Sequence, residues 1–506
     1  MASLIYGDRH LDGDELSILS RKAAAALLAR GIDRSDAVAL LLKNGLTFIT
    51  ASSALQHLGC YVVPINWHAA RAEIEHVLRD AAVKALIVHD DLLTPELRAV
   101  LPPILVFVVD RISDTGSGER VVGWTPPAGT IDWRDLVLER EPIATEPVPA
   151  VENLFYTSGT TGLPKGVRRG TATPLQATAV AEMRRKTTQI DRSSRVLLTA
   201  PMYHTAPSMY AARAAREADL LVLPTRFNAR EFLTLIEMHR ITNLYAVPTI
   251  FTRLLALAEE ERSRFDLSSL RSILHAGSPC PVHVKRSMIE WLGPKLIEYY
   301  GSTEHGPLTF VTAQEWVQRP GTVGRAIEGV TLAILSDDGE VLPEGGVGEV
   351  YGVNRNYPDF AYNNNVSART MLDRQGLIAT GDVGYLDAEG YLFLCDRKRD
   401  MVISGGVNIY PVEIENAAME HGAIADCAVF GIPDAEFGES LALLAEPQPG
   451  SDVGVEALRS YLAEHLPRFK VPKLIEIRSC LPRDDSGKIR KRVLREPYWA
   501  GHTIKI

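Results

Sequence analysis

The chain has 506 residues, 46% hydrophobic and 23% charged, and a formal net charge of −9. That length exceeds one compact core and predicts two or more domains, while the acidic balance argues against a general nucleic-acid role. Five scattered cysteines (Cys60, Cys280, Cys395, Cys427 and Cys480) without a C-x-x-C pair exclude a disulfide framework and predict a reducing compartment.

The first elements alternate in period. Leu16, Leu19, Ala23, Ala26 and Leu27 recur at helical spacing after the cap candidate Asp14, and Gly31 ends that helix. Residues 38–42 read as a strand, 46–58 as a helix, 61–65 as a strand, 70–82 as a helix and 85–88 as a strand. This βαβαβ grammar predicts an α/β domain with a largely parallel sheet. It continues in four strands, near 154–156, 196–200, 272–275 and 296–299, each running into a polar, glycine- or proline-bearing segment. Ligands of open α/β sheets bind beyond the carboxyl ends of strands, so these four segments are expected to share one cleft. From about residue 330, short strands separated by Asp337-Asp338-Gly339, Glu344-Gly345-Gly346 and Ala388-Glu389-Gly390 predict a hairpin-rich β subdomain. After Asp396-Arg397-Lys398-Arg399-Asp400 a small α+β unit is expected, with helices over 412–419 and 455–466 and strands over 425–431 and 441–445. The expected division is 1–396 and 397–506, the second unit being mobile. The N-terminus turns polar after a few residues, which predicts no signal peptide. No apolar run reaches the roughly 18 residues of a membrane span. The expected location is therefore cytoplasmic, with any membrane contact peripheral.

The segment Thr157-Ser158-Gly159-Thr160-Thr161-Gly162-Leu163-Pro164-Lys165-Gly166 supplies backbone N–H groups, hydroxyls and one cation, which is what a phosphate chain needs. It is not a mononucleotide P-loop: Pro164 precedes the lysine and Gly166 follows it, which favours a mobile loop over a helix N-terminus. This decapeptide resembles the signature loop of the adenylate-forming superfamily, which comprises acyl- and aryl-CoA synthetases, peptide-synthetase adenylation domains and beetle luciferases. Further matches follow in the family's order over about residues 30–495.

Tyr300-Gly301-Ser302-Thr303-Glu304 resembles the family's Tyr-Gly-x-Thr-Glu motif. It offers an aromatic face, a glycine for close approach, the Thr303 hydroxyl for phosphate and the Glu304 carboxylate. Magnesium prefers one or two carboxylates plus phosphate oxygens, so Glu304 is the expected Mg²⁺ ligand. Thr380-Gly381-Asp382 resembles a ribose clamp through Asp382, with Arg397 as the second nucleotide contact and Arg399 at the family's hinge position. Ala276, Gly277 and Ser278 complete the implied nucleotide-binding set. Gly405 and Gly406 lie in a stretch that resembles the segment which swings in for thiol transfer, where missing side chains let a pantetheine arm pass. In the Pro-x-x-x-x-Gly-Lys pattern over 482–488, Lys488 takes the catalytic position, its cation opposing the charge that builds on the α-phosphate. Lys470 and Lys473 resemble the lysines that relatives use near the nucleotide end of CoA.

His204 takes the family position at the junction of carboxylate pocket and thiol tunnel. By the same resemblance the acyl pocket is drawn from Tyr203, His204, Met209, Val247, Pro248, Ala276, Gly277, Gly301, His305 and Gly306. This set is mostly apolar or small and lacks an arginine for a second carboxylate. It favours a medium- or long-chain fatty acid or another bulky apolar monocarboxylate. An arylpropenoate is the alternative, since glycines at 277 and 301 would admit a flat ring. The implied chemistry is acyl-adenylate formation from Mg·ATP, then thioester formation with CoA. No carrier domain follows Lys488, which favours CoA over a carrier protein as the acceptor. A kinase, a nucleotide-binding regulator and a luciferase-type monooxygenase are the competing classes. A second copy of the chain is a further candidate partner. An exposed, glycine-flanked Lys488 is also open to a lysine acetyltransferase.

Overall fold

The computed structural model describes residues 1–115, 121–148, 151–157, 163–483 and 489–500. Among them, the three strands predicted from the first hundred residues belong to a five-stranded sheet that is parallel throughout. Its strands run in the order Tyr61–Pro64, Ala37–Leu41, Ala85–His89, Leu105–Val109, Ile131–Asp132. Every residue of Ala37–Leu41 and Ala85–His89 is buried, as expected of strands covered on both faces by helices. The helix Leu46–Leu58 has the predicted bounds. The first helix runs Gly13–Ala29, and its cap is Asp12 where Asp14 was expected: the Asp12 carboxylate accepts from the backbone of Asp14 and Glu15, and Glu15 reaches back to the Asp12 N–H. Either aspartate can cap by type; this reciprocal box selects Asp12.

A second sheet of 14 strands carries most of the rest of the large unit. One half is parallel and contains Ser3–Tyr6, Leu220–Leu223, Arg195–Leu198, Asn243–Ala246, Ser272–His275 and Leu296–Ser302. At Leu296–Ser302 the direction changes, and Gly306–Thr312, Thr322–Ala326, Tyr391–Arg397, Leu377–Leu386, Gly348–Asn354 and Val330–Leu335 follow antiparallel. The switch sits at Tyr300-Gly301-Ser302. These residues were expected in a loop; they instead prolong the strand, with a register shift between Tyr300 and Gly301. A third sheet joins Phe155–Thr157, Lys165–Arg169 and Phe360–Tyr362.

The strands after Met401 form their own five-stranded sheet, built on the long pair Ile424–Asp434 and Gly438–Pro447. The helices Pro411–Met419 and Val455–His465 pack on it through Ile414, Leu458 and Leu462, with Val429 and Leu443 beneath. Among the described residues no helix is long and apolar enough to cross a membrane.

Candidate active site

A continuous cleft of about 2810 Å³ opens along the carboxyl ends of the parallel strands and extends to the small C-terminal unit. All four predicted strand-end segments reach it, through Thr157, His204, Gly277 and Tyr300 among others. For the segments after Arg195–Leu198, Ser272–His275 and Leu296–Ser302 position follows from topology, since strands of one parallel run end on the same side; Thr157 was expected to share that arrangement but instead ends an antiparallel strand of the third sheet.

Thr157 and Lys165 face each other across a tight antiparallel pair, which fixes both ends of the glycine loop. Ser158, Gly159, Thr160, Thr161 and Gly162 lie outside the described residues. The Thr157 hydroxyl donates to Glu304 Oε1 at 3.1 Å, and the Tyr362 hydroxyl donates to the same oxygen at 3.1 Å. Lys165 Nζ stands 5.4 Å over the Tyr362 ring. The Arg169 guanidinium donates to the Glu304 backbone carbonyl and to Pro358 O, and is 7% exposed. One carboxylate is thus held at the base of the glycine loop with its second oxygen available, as a Mg²⁺–phosphate ligand requires. The Thr303 and Thr205 hydroxyls are 2.7 Å apart, which links the motif to the start of the helix Thr205–Glu217. His204 caps that helix, is exposed, and stacks obliquely on Tyr203 with ring centroids 4.4 Å apart.

The ribose-clamp residues also assemble. Tyr300 Oη donates to Asp382 Oδ2 at 2.6 Å, and Arg397 Nε lies 3.7 Å from Asp382 Oδ1. Burial pushes Asp382 above the usual carboxylate range, opposed by Arg397 and the Tyr300 bond. Arg399 is half-exposed at the cleft edge, 4.0 Å from Asp400.

On the acyl side, Tyr203, Met209, Val247, Pro248, Ala276 and Gly277 line the cleft. Gly301 does not open space for a ring as expected. A Cβ there would lie 2.1 Å from Gly306 O, so this glycine serves the strand pairing. The His305 ring is engaged by Ser302 Oγ at 2.8 Å and by Ile378 O at 3.2 Å, and Gly306 packs against Tyr357.

In the C-terminal unit, Lys488 lies outside the described residues. Its segment is bracketed by the bridge between Arg483 and Ile489, both of which line the cleft. Arg483 is fixed by Asp426 at 2.5 Å and Glu446 at 3.1 Å. Gly405 and Gly406 form the turn between Val402–Ser404 and Val407–Ile409, outside the cleft lining. Lys470 pairs with Glu413 and Lys473 with Asp434, each at 2.6 Å.

Several contributors escaped the sequence reading. Arg169 and Tyr362 support Glu304, and Asp426 anchors Arg483. The basic run Lys165-Gly166-Val167-Arg168-Arg169 was a usable signal for Arg169. Tyr362 and Asp426 carry none, being brought in from distant strands.

Known proteins resemble this chain in sequence and fold. Residues 1–355 match the model of the AMP-binding enzyme family, and residues 413–488 match the AMP-binding enzyme C-terminal domain. The chain is 32% identical over 499 residues to a long-chain-fatty-acid–CoA ligase of Mycobacterium tuberculosis, covering 96% of this chain and 93% of that one. It is 31% identical to an indoleacetate–CoA ligase of Aromatoleum aromaticum, at 97% and 94% coverage. The solved anthranilate CoA ligase in complex with anthranoyl-AMP superposes with a TM-score of 0.84 at 25% identity, covering 98% of this chain and 94% of that one. The chain therefore belongs to the AMP-binding enzyme family, and is an adenylate-forming acid–thiol ligase of the acyl-CoA synthetase type.

Proposed function

We propose that the enzyme activates a bulky, apolar-bodied monocarboxylic acid with ATP and passes the acyl group to CoA. The carrying observation is the convergence of Thr157, Glu304, Asp382 and the ends of the Lys488 segment on one cleft with an acyl pocket beside it. In the first step a carboxylate oxygen attacks the α-phosphate and pyrophosphate leaves. In the second the CoA thiol attacks the acyl carbon and AMP leaves.

Glu304 would hold Mg²⁺, which when bound supplies positive charge to the phosphates. Asp382 and Arg397 receive the ribose. The Thr303 hydroxyl and the Lys488 ammonium meet charge on the phosphate oxygens. His204, exposed beside Tyr203, sits where the carboxylate enters. The chain divides into 1–396 and 397–506, and the smaller unit turns about Arg399 between the steps. The arrangement with Arg483 and Ile489 at the cleft and the Gly405-Gly406 turn off it fits the adenylating half; the turn must swing in for thiol transfer.

The alternative acid is an arylpropenoate. It is favoured by one observation: among the described residues a Cβ on Gly277 would meet the Tyr245 hydroxyl alone, at 3.9 Å, so the wall beside that glycine is aromatic. Incubation with Mg·ATP, CoA and a panel of acids, resolving AMP, ADP and thioesters by chromatography, tests the reading. AMP with a thioester for one class of acid is expected. ADP as product, or AMP without thioester for every acid, would refute it.

A further inference from the structure

Tyr210 lies on the helix Thr205–Glu217, lines the cleft and is 2% exposed. Its hydroxyl has no hydrogen-bond partner among the described residues. An unpartnered buried hydroxyl is costly, and a phenylalanine would fill the same space without that cost. The ring packs on Tyr245, with centroids 5.4 Å apart and planes at 52°. Tyr245 is 1% exposed, and its hydroxyl makes a single long bond, 3.4 Å to Ala276 O. Burial raises the pKa of both phenols well above the ordinary tyrosine value, so each stays protonated and able to donate. Among the described residues a Cβ on Gly277 would meet the Tyr245 hydroxyl at 3.9 Å, and Gly277, Tyr210 and Tyr245 line the same cleft.

We propose that Tyr210 and Tyr245 form an oxygen-recognition subsite at the far end of the acyl pocket. The acid that fits has an apolar body and carries a hydroxyl or other oxygen remote from its carboxylate. This rests on the ligase reading above. A substrate oxygen there accepts from Tyr210 and gives the buried hydroxyl the partner it lacks; an acid without that oxygen leaves it unmade. Sites built around such a bond reject the analogue lacking it more strongly than apolar pockets discriminate by size.

The test compares kcat/KM for matched acids, cinnamate against 4-hydroxycinnamate and octanoate against 8-hydroxyoctanoate, in the wild type, Tyr210→Phe and Tyr245→Phe. The wild type should favour the oxygenated member of one pair by about tenfold or more, and the pair that shows it tells aryl from alkyl substrates. Tyr210→Phe should cut that preference about tenfold. The ligand-free variant should melt higher than wild type, because an unpartnered hydroxyl has been removed. Equal use of both members of each pair, with no change in the variants, overturns the subsite while leaving the ligase reading standing. Absence of AMP and thioester with every acid in the wild type overturns the ligase reading, and the subsite with it.

Discussion

Lys285 is 1% exposed, on the helix Val282–Leu292 directly after the Ala276–Gly277–Ser278 loop. Its Nζ lies 2.5 Å from Glu298 Oε2, on the strand that continues into Tyr300 and Gly301, and 5.0 Å from the Trp316 ring centroid. His275 Nε2 is 3.4 Å from the same carboxylate oxygen. This buried pair ties the helix behind the nucleotide loop to the strand that carries the Tyr300–Glu304 motif. Lys285→Met keeps most of the volume but strands a buried carboxylate, which should cost about 3–5 kcal/mol. That is a large share of the 5–15 kcal/mol typical of a domain. Lys285→Met combined with Glu298→Leu removes both charges and should recover most of the loss, since replacing a whole buried pair by apolar groups is often close to neutral. Lys285 also lowers the His275 pKa while Glu298 raises it, so losing Lys285 should let His275 protonate more readily and partner Glu298. The single variant's deficit should therefore shrink as pH falls from 7.5 to 5.5. Urea unfolding followed by tryptophan fluorescence at both pH values measures all three quantities. A single-variant cost below about 1 kcal/mol, the level of an exposed pair, or a double variant as unstable as the single, would refute the argument.

Burial pulls His275 down to about 4, with Glu298 opposing and Lys285 adding to the effect. The unfolded state then binds the extra proton first, so this group's contribution to stability falls as pH drops from about 6.5 to about 4, by up to about 3 kcal/mol; in His275→Gln the acid limb of the urea midpoint should flatten, and an unchanged limb would count against it. Glu304→Gln should lower adenylation, read by acid-dependent ATP–pyrophosphate exchange, by about 10²–10³-fold, and the deficit should narrow as Mg²⁺ is raised. Lys488→Ala, or acetylation of Lys488, should depress the same exchange by about 10²–10³-fold while thioester formation from preformed acyl-adenylate survives; full exchange in the acetylated enzyme would remove Lys488 from the first step. Arg399→Pro should do the reverse, sparing exchange and abolishing thioester release, and equal loss of both would argue against rotation at that residue.

The fold of the first hundred residues was legible in the sequence because its signals are local. Period, β-branched runs and turn residues placed the helix Leu46–Leu58 with its observed bounds. The motifs Tyr300–Glu304 and Thr380–Asp382 were legible for a similar reason: each needs several residue types close together along the chain. The Asp12 cap and the strand character of Tyr300-Gly301-Ser302 were not, because each depends on a partner chosen in three dimensions.

By itself the sequence determined the order of elements, the adenylate-forming motifs and so the chemistry of carboxylate activation, since reacting groups and phosphate-binding backbone must be of particular types at particular spacings. The tertiary structure alone decided which residues support them. Arg169 and Tyr362 reach Glu304, Asp426 holds Arg483, and strand pairing rather than ligand shape demands Gly301. It also packed Tyr210 against Tyr245 in the lining of the cleft. Such contacts join residues far apart along the chain. Their energy comes from burial and geometry that exist only after packing, so no local pattern records them.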